Sequence, residues 1–232
     1  MTTTRSYGDA CGVAIGLDVV GERWALLVVR ELLLGPRRFT DLRAGLPGAS
    51  PNVLSQRLRE LEAAGVLQRR KLAPPAGSWV YELTPWGAAL EPVVIGLGSW
   101  ALRAPAAPPG GSLSVVSAVL TLRTFFVPER ADFRAGYELR FGEDRYAVRV
   151  DRGTLATAHG PVTDPVAALD TDARTFVNLL GDSGRLPAEI AAGTVELTGD
   201  SDAVTRLLAA VSIPAGQPGS GVPNRPGIPL PA

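Results

Sequence analysis

Three polar side chains recur at helical spacing and carry the groups that recognise DNA bases. Leucines at intervals of three and four over residues 54–61 predict one buried face of an α-helix. On that helix, Asn52, Gln56 and Arg59 fall on the opposite, solvent-facing side. Amide and guanidinium groups there supply the donors and acceptors that read base edges in a major groove. The alternative is the ordinary solvated face of any amphipathic surface helix.

Hydroxyl and cationic residues flank this helix on both sides. Ser50 is a suitable N-cap and Ser55 follows in the next turn, so both are placed to bind phosphate oxygens near the helix N-terminus. Residues of the same kind precede a shorter helix and lie on a following strand: Arg37, Arg38, Thr40, Arg69, Arg70 and Lys71. Charge that brackets a reading helix favours phosphate contacts, and the alternative is that these arginines only solubilise the surface.

Apolar periodicity and capping residues predict the elements that position these side chains. Helices are predicted over residues 10–20, 23–34, 40–44, 50–64 and 85–102, and strands over 66–72 and 79–83. Residues 73–78, which include two prolines and a glycine, are predicted to form the wing tip between the strands. Four helices, a hairpin and a fifth helix in this order make a winged helix-turn-helix domain.

Composition divides the chain into two domains. A Pro- and Gly-rich stretch at 104–112 predicts a linker between a first domain at 1–103 and a second at 113–213. Residues 1–103 contain 12 basic and 9 acidic residues, or +3, and residues 104–232 contain 11 and 14, or −3. This asymmetry fits a nucleic-acid-binding module joined to another domain. Residues 214–232 are predicted to form a flexible tail.

The second domain is predicted to be of mixed α+β type, so the chain as a whole is an α+β protein with an N-terminal winged helix-turn-helix domain. A helix is predicted over 113–126, a short helix over 187–192, and strands over 135–141, 145–151, 154–158, 166–169 and 194–197. Asp172 and Asp200 are predicted N-caps of helices that end near 180 and 211. The expected packing is one antiparallel sheet backed by helices.

The scarcity of reactive and metal-binding side chains argues against catalysis. One cysteine, Cys11, and one histidine, His159, exclude an intrachain disulfide and leave little for a zinc site or a catalytic triad. No GxxxxGK[ST] phosphate-binding motif occurs. We therefore expect no enzyme activity, no cofactor and no metal. No apolar run is long enough to span a membrane and no signal peptide is evident, so a cytoplasmic location without a membrane partner is expected.

The first domain resembles the HxlR-type winged-helix regulators. The resemblance lies in GERWALLVVRELLLGPRRFTDLRAGLPGASPNVLSQRLRELEAAGVLQRR, followed by VYELTPWGAALEPVV and Trp100, and covers nearly all of residues 11–103. It implies a homodimer built from the first and last helices of the domain. Each protomer would offer a recognition helix and wing to half of a near-palindromic operator in double-stranded DNA. The wing departs from the family pattern, because Pro74–Ser78 lack the usual charge.

The second domain resembles sterol-carrier-protein-like domains. The resemblance is carried by Ala168–Val211 and is weaker over the rest of residues 112–212. It implies a hydrophobic pocket for an apolar effector between sheet and helices. The candidate lining residues are aromatic: Phe125, Phe126, Phe133, Tyr137, Phe141 and Phe176. The alternatives are that these aromatics fill the core, or that the domain is degenerate and only strengthens dimerisation.

These observations predict a dimeric transcription regulator controlled by an apolar effector, and they leave two rivals. One is a lipid-like carrier whose winged helix is only a dimerisation scaffold. The other is a redox switch at Cys11, because several HxlR-type proteins have a sensing cysteine in this region. No basic residue lies within five positions of Cys11, which favours a small buried residue at the dimer interface instead.

Overall fold

The first domain contains the predicted elements in the predicted order. The computed structural model describes residues 6–73, 77–102 and 111–213. The helices and strands of the first domain are α1 (Gly12–Val20), α2 (Ala25–Leu32), α3 (Phe39–Gly45), α4 (Pro51–Ala63), β1 (Leu67–Lys71), β2 (Trp79–Leu83), α5 (Pro85–Ala88) and α6 (Glu91–Ala101). Most of the predicted linker at 104–112, the predicted tail, and residues 74–76 of the wing tip lie outside the described residues.

Local capping chemistry fixes both ends of α4. The Ser50 side-chain oxygen accepts a hydrogen bond from the Val53 amide at 3.4 Å, and Pro51 occupies the first helical position, where its missing N–H costs least. Gly65 follows the helix with φ of +76°, a conformation that favours glycine. The predicted boundaries of this helix are confirmed to within one residue at each end.

The helix predicted over 85–102 is interrupted. It forms a short α5 and a separate α6, with Ala89 and Leu90 between them. The reason is Pro92, which lacks the N–H that a continuous helix would bond to the Ala88 carbonyl. The prediction of one helix was therefore wrong, although both segments are helical.

The core of the first domain surrounds α2. Val28, Val29 and Leu32 of this helix are buried against the leucines on the inner face of α4. The same cluster includes Val66 and Leu67 at the start of the wing, so α4 and the wing pack on the same core. Burial of this apolar surface is the main favourable contribution to folding of the domain.

The second domain is a five-stranded sheet with helices packed on it. Its elements are α7 (Val115–Phe125), β3 (Arg134–Phe141), β4 (Asp144–Asp151), β5 (Thr154–His159), β6 (Ala167–Thr171), α8 (Ala173–Gly181), α9 (Leu186–Ala191), β7 (Val195–Gly199) and α10 (Ser201–Ala209). Asp172 and Asp200 cap α8 and α10 through backbone amides, as predicted. Short 3₁₀ turns lie at Pro128–Arg130 and Ser183–Arg185.

The sheet is mixed, which corrects the expectation of an antiparallel sheet. The strand order is β5-β4-β3-β6-β7, and β6 pairs with β3 in parallel while all other neighbours are antiparallel. The chain leaves β5 at one edge and returns on the far side of β3. The segment that joins β5 to β6 therefore crosses the sheet, and β6 runs in the same direction as β3.

The two domains contact each other through the end of α2. Leu34 lies just after this helix and is only 4% exposed, because it packs into the core of the second domain. Its carbonyl accepts a hydrogen bond from the His159 amide at 2.9 Å. The Ser114 hydroxyl, at the N-cap of α7, donates to Glu31 of α2 at 2.7 Å. The end of α2 is thus part of both domains.

Among the helices of the described residues, none combines the length and the apolar character needed to cross a lipid bilayer.

Candidate nucleic-acid interface

The outer face of α4 presents the three predicted base-reading side chains to solvent. Asn52, Gln56 and Arg59 are all exposed, while the leucines of the opposite face are buried. The Gln56 side chain donates to Glu60 at 3.0 Å, which orients its amide along the helix. Arg59 makes no polar contact with any described residue. Its guanidinium has all five donors available.

The hydroxyls predicted to bind phosphate lie at the start of the same helix. Ser50 is exposed and Ser55 is half-buried. The oxygen of Ser50 already accepts a bond from the helix, but its O–H can donate to an anion at the same time. This end of the helix also carries the positive end of the helix dipole. Both residues therefore stay candidates for phosphate contact.

Three exposed cationic side chains lie on β1 of the wing, and they differ in their contacts. Arg69 lies over the Trp79 ring at 4.5 Å, a cation–π contact that fixes its direction without neutralising its charge. Arg70 pairs with Glu82 at 2.6 Å, and this hydrogen bond lowers the pKa of Glu82. Lys71 is exposed and has no ionic partner among the described residues. Arg69 and Lys71 therefore offer net positive charge, whereas Arg70 is largely compensated.

Arg38 and Thr40 are exposed at the start of α3, in agreement with a phosphate-contacting role. The Arg38 amide donates to Asp41 at 2.9 Å, a bond that caps the helix and leaves the Arg38 guanidinium free. Arg43, one turn further along α3, is also exposed and has no polar partner among the described residues. The sequence analysis did not include Arg43 among the residues predicted to bind phosphate. The signal that identifies it is the apolar pattern, which predicts a buried Leu42 and an exposed Arg43 beside it.

The structure corrects the prediction that Arg37 binds DNA phosphate. Its side chain is directed into the second domain and the residue is only 6% exposed. The guanidinium donates to Asp144 at 3.0 Å and to the Tyr146 hydroxyl, and it lies 5.5 Å from the centre of the Tyr146 ring. The backbone of Arg37 pairs with Tyr81 of β2 through two hydrogen bonds of 2.9 and 2.8 Å. Arg37 thus joins the wing to the second domain.

The candidate effector pocket is also corrected, because its aromatic side chains fill the core. Four of them are buried and two are partly buried against the same cluster. Phe141 packs edge-on against both Tyr146 and Phe176, with centroid distances of 6.0 and 5.7 Å. The cavity that Tyr137 and Phe176 line measures about 10 Å³, room for about one water molecule. An apolar effector does not fit there.

Cys11 is exposed in the single chain, and its expected burial at a dimer interface stays a prediction. It is the N-cap of α1, and the backbone N–H groups of Val13 and Ala14 lower the pKa of its thiol. Sequence spacing from basic residues did not reveal this, because the favourable charge comes from the helix backbone and not from a side chain.

An apolar surface covers parts of α1 and α6. Trp100 is 72% exposed, and no residue of α6 is buried although the helix is mostly apolar. The other large exposed apolar side chains on these two helices are Val13, Ile15, Leu17, Val93 and Leu97. Both helices therefore carry exposed apolar side chains that are candidates for a contact with a partner.

Comparison with known proteins gives the same assignment for the first domain. Residues 19–106 match the HxlR-like helix-turn-helix family. The uncharacterized HTH-type transcriptional regulator YvaP of Bacillus subtilis (strain 168) is 40% identical over 85 residues, which are 37% of this chain and 79% of YvaP. The uncharacterized HTH-type transcriptional regulator YybR of the same organism is 33% identical over 92 residues, which are 40% of this chain and 74% of YybR.

Among solved structures, the redox regulator HypR in its oxidized form is 31% identical, with a TM-score of 0.39 and coverage of 42% of this chain and 100% of HypR. The family match ends at residue 106, before the second domain. YvaP, which is matched over 79% of its length at 40% identity, is named an HTH-type transcriptional regulator. The chain therefore belongs to the HxlR family of helix-turn-helix, DNA-binding transcription regulators.

Proposed function

We propose that the protein is a homodimeric regulator that reads a near-palindromic operator through Asn52, Gln56 and Arg59. The observation that carries this proposal is the exposed polar face of α4, whose opposite face is fully buried. Phosphate contacts come from exposed or half-buried hydroxyl and cationic residues around it: Arg38, Thr40, Arg43, Ser50, Ser55, Arg69 and Lys71. Arg70 contributes less, because Glu82 compensates its charge. These contacts set register and affinity, whereas the α4 side chains set sequence preference.

The experiment that tests operator reading is selection from random duplexes at about 150 mM salt, where non-specific phosphate binding is largely screened. We expect enrichment of a near-palindrome with half-sites about 10 bp apart, the spacing that places two recognition helices on one face of DNA. A folded, dimeric protein that enriches no sequence would contradict the proposal.

The homodimer is proposed from the exposed apolar surface of α1 and α6. No side chain of this eleven-residue helix is fully buried within the chain, so a partner that covers its exposed apolar residues would add stability. Trp100→Glu replaces the most exposed large apolar side chain of α6 with a charge, and we expect a shift from dimer to monomer in sedimentation velocity. The matched control is Trp79→Glu on the wing, which is expected to stay dimeric. Equal behaviour of the two variants would place the interface elsewhere.

A second candidate function is redox control through Cys11. Its support is the exposed thiol at a helix N-terminus with a lowered pKa, because the thiolate is the species that oxidants attack. Oxidant treatment of the wild-type protein is then expected to change operator affinity, and Cys11→Ser to abolish that response. A response retained by Cys11→Ser would remove Cys11 from the mechanism.

The second domain, which resembles sterol-carrier-protein-like domains, is proposed to act through its contact with the first domain. Its filled core does not support an apolar effector or a lipid-carrier function. We expect no saturable binding of a fluorescent fatty acid such as cis-parinaric acid. Saturable binding with one molecule per chain would show that the core opens and would restore the carrier hypothesis.

A further inference from the structure

The Gln56 side chain differs from the other two proposed base-reading side chains in having a polar partner. Its Nε2 donates a hydrogen bond to Oε1 of Glu60, one helical turn further along α4, at 3.0 Å. Asn52 and Arg59 have no such partner in the described part of the chain. Both Gln56 and Glu60 are exposed, so this hydrogen bond lies on the surface of α4 that is proposed to face DNA.

The Glu60 carboxylate is held in turn by a buried arginine. The other carboxylate oxygen of Glu60 pairs with Arg57, whose side chain is only 11% exposed. The same guanidinium lies 3.7 Å from Glu22, in the connection between α1 and α2. An exposed pair of polar side chains alone persists weakly, whereas a buried cation keeps its counter-charge because the unpaired state is costly. Arg57 therefore fixes the carboxylate, and the carboxylate fixes the Gln56 amide.

This hydrogen bond determines which groups of Gln56 stay available for a base. A glutamine amide has two N–H donors and one carbonyl acceptor. Because Glu60 engages one N–H, the side chain offers one donor and one acceptor. In the major groove adenine presents one acceptor, N7, and one donor, the N6 amino group, whereas guanine presents two acceptors, N7 and O6. The free groups of Gln56 match adenine, and two bonds to guanine would require the loss of the bond to Glu60.

The charge of Glu60 is unfavourable for DNA binding in general. A carboxylate on a helix face that approaches phosphate groups lowers the affinity for any sequence. A residue that weakens binding to all partners and weakens it more to the wrong partner increases specificity. The place of Glu60 beside a base-reading amide fits that role.

We propose that Glu60 is a positioning residue that restricts Gln56 to adenine and excludes guanine. Arg57 supports this function from the interior of the domain. The inference rests on the proposed reading of an operator by α4, and it adds the base that one of the reading side chains selects.

The test uses the full chain and the operator that the wild-type protein selects. The base pair opposite Gln56 is the one whose preference is lost in Gln56→Ala. Competition titrations then compare operator duplexes that carry adenine or guanine at that position. We expect the wild type to prefer adenine about ten-fold. Glu60→Met removes the acceptor and keeps a good helix former, so we expect the ratio to fall about three-fold or more.

The matched control is Glu62→Met, which removes the same charge two residues further along the same helix. The Glu62 carboxylate accepts from the Arg69 amide at 3.3 Å and has no contact with Gln56. This variant is expected to change the affinity for all duplexes but to keep the adenine-to-guanine ratio of the wild type. In a Gln56→Ala background, Glu60→Met is expected to have no effect on the ratio, because the side chain through which Glu60 acts is absent.

Circular dichroism checks that each variant is folded, and Glu60→Ala, which also removes the acceptor, is expected to give the same ratio as Glu60→Met. A base other than adenine opposite Gln56, an unchanged ratio in both Glu60 variants, or an equal fall in Glu62→Met would each overturn this inference alone. If the wild type selects no operator, the reading of DNA by α4 fails and this inference fails with it, so the two failures are distinguishable.

Discussion

Arg59 and Arg38 are exposed arginines that occupy different parts of the proposed DNA surface. Arg59 extends from the α4 face that also carries Asn52 and Gln56, where a helix in the major groove reaches base edges. Arg38 lies at the start of α3, outside that face. Arg59 is therefore expected to contribute to sequence specificity, and Arg38 to affinity for DNA of any sequence.

Arg59→Ala is expected to weaken operator binding by about 1–3 kcal/mol and to relax the preference at one base pair. Arg38→Ala is expected to weaken specific and random DNA by the same factor and to reduce the salt dependence by about one ion. Fluorescence anisotropy titrations at several salt concentrations measure both effects. Arg149→Ala, an exposed arginine of the second domain, serves as the control. Loss of specificity in the Arg38 variant alone would reverse the assignment.

Cys11 is expected to react as a thiolate at lower pH than an ordinary cysteine. The N–H groups of Val13 and Ala14 stabilise the charged form, so the midpoint of its iodoacetamide reaction should lie below 9.0, the usual value. In denaturant the helix is lost, and the midpoint should rise. The difference between the two pH–rate profiles of the same single thiol is the measurement. Coincident profiles would show that the helix N-terminus has no effect.

At the scale of elements, the end of the wing is fixed by one threonine and one glycine. The Thr84 hydroxyl donates to the Gly65 carbonyl at 2.7 Å and accepts from the Gly87 amide at 3.0 Å. It therefore connects the end of α4 to the start of α5. Gly87 approaches the backbone so closely that an added Cβ would lie 1.9 Å from the Val66 carbonyl oxygen.

Gly87→Ala is expected to lower the free energy of unfolding by about 2 kcal/mol or more, because the Cβ forces α5 away from the wing. Denaturant titration followed by circular dichroism measures the loss. Gly181→Ala, at the end of α8 with open space around it, is expected to change stability by less than about 1 kcal/mol. A Gly87→Ala protein as stable as the Gly181→Ala protein would contradict this account of the junction.

The element boundaries were largely predictable from the sequence, and the long-range contacts were not. Ser50, Pro51 and Gly65 act within one or two turns of backbone, so their pattern predicts α4 directly. Arg37 and Asp144 are 107 residues apart. No local pattern distinguishes Arg37, which is buried, from Arg38, which is exposed. The aromatic residues of the second domain were predicted as apolar, but whether they fill or line a cavity depends on packing.

At the scale of the whole molecule, the two domains are joined by polar as well as apolar contacts. Arg123 of α7 pairs with Glu91 of α6, and Arg37 pairs with Asp144. Because the Arg37 backbone is bonded to Tyr81 on the wing, we expect a shift of the second domain to move this part of the wing. Regulation by the second domain requires two positions of that domain relative to the first, and an effector that binds the two with different affinity.

Asp144→Asn is expected to destabilise the protein by about 1–2 kcal/mol near pH 7, since buried Arg37 loses its counter-charge while Asp144 itself stays partly exposed. The hydrogen bond from His159, with Arg37 nearby, holds the pKa of Asp144 below its usual 3.8. The stability from this charge is therefore present above 3.8 and is lost as pH falls through the lower folded-state pKa. Urea titrations should show the difference between wild type and variant shrinking below about pH 4. A difference that is constant down to about pH 2 would contradict this assignment.

The burial of Leu34 depends on the second domain, so it predicts which residue type suits this position when no such domain is present. In YvaP the matched 85 residues already make up 79% of the protein, which leaves too little chain for a domain that could cover this position. Without the second domain, an apolar side chain at this position would lie in water. We therefore expect relatives that consist of the first domain alone to carry a polar side chain where this chain has Leu34.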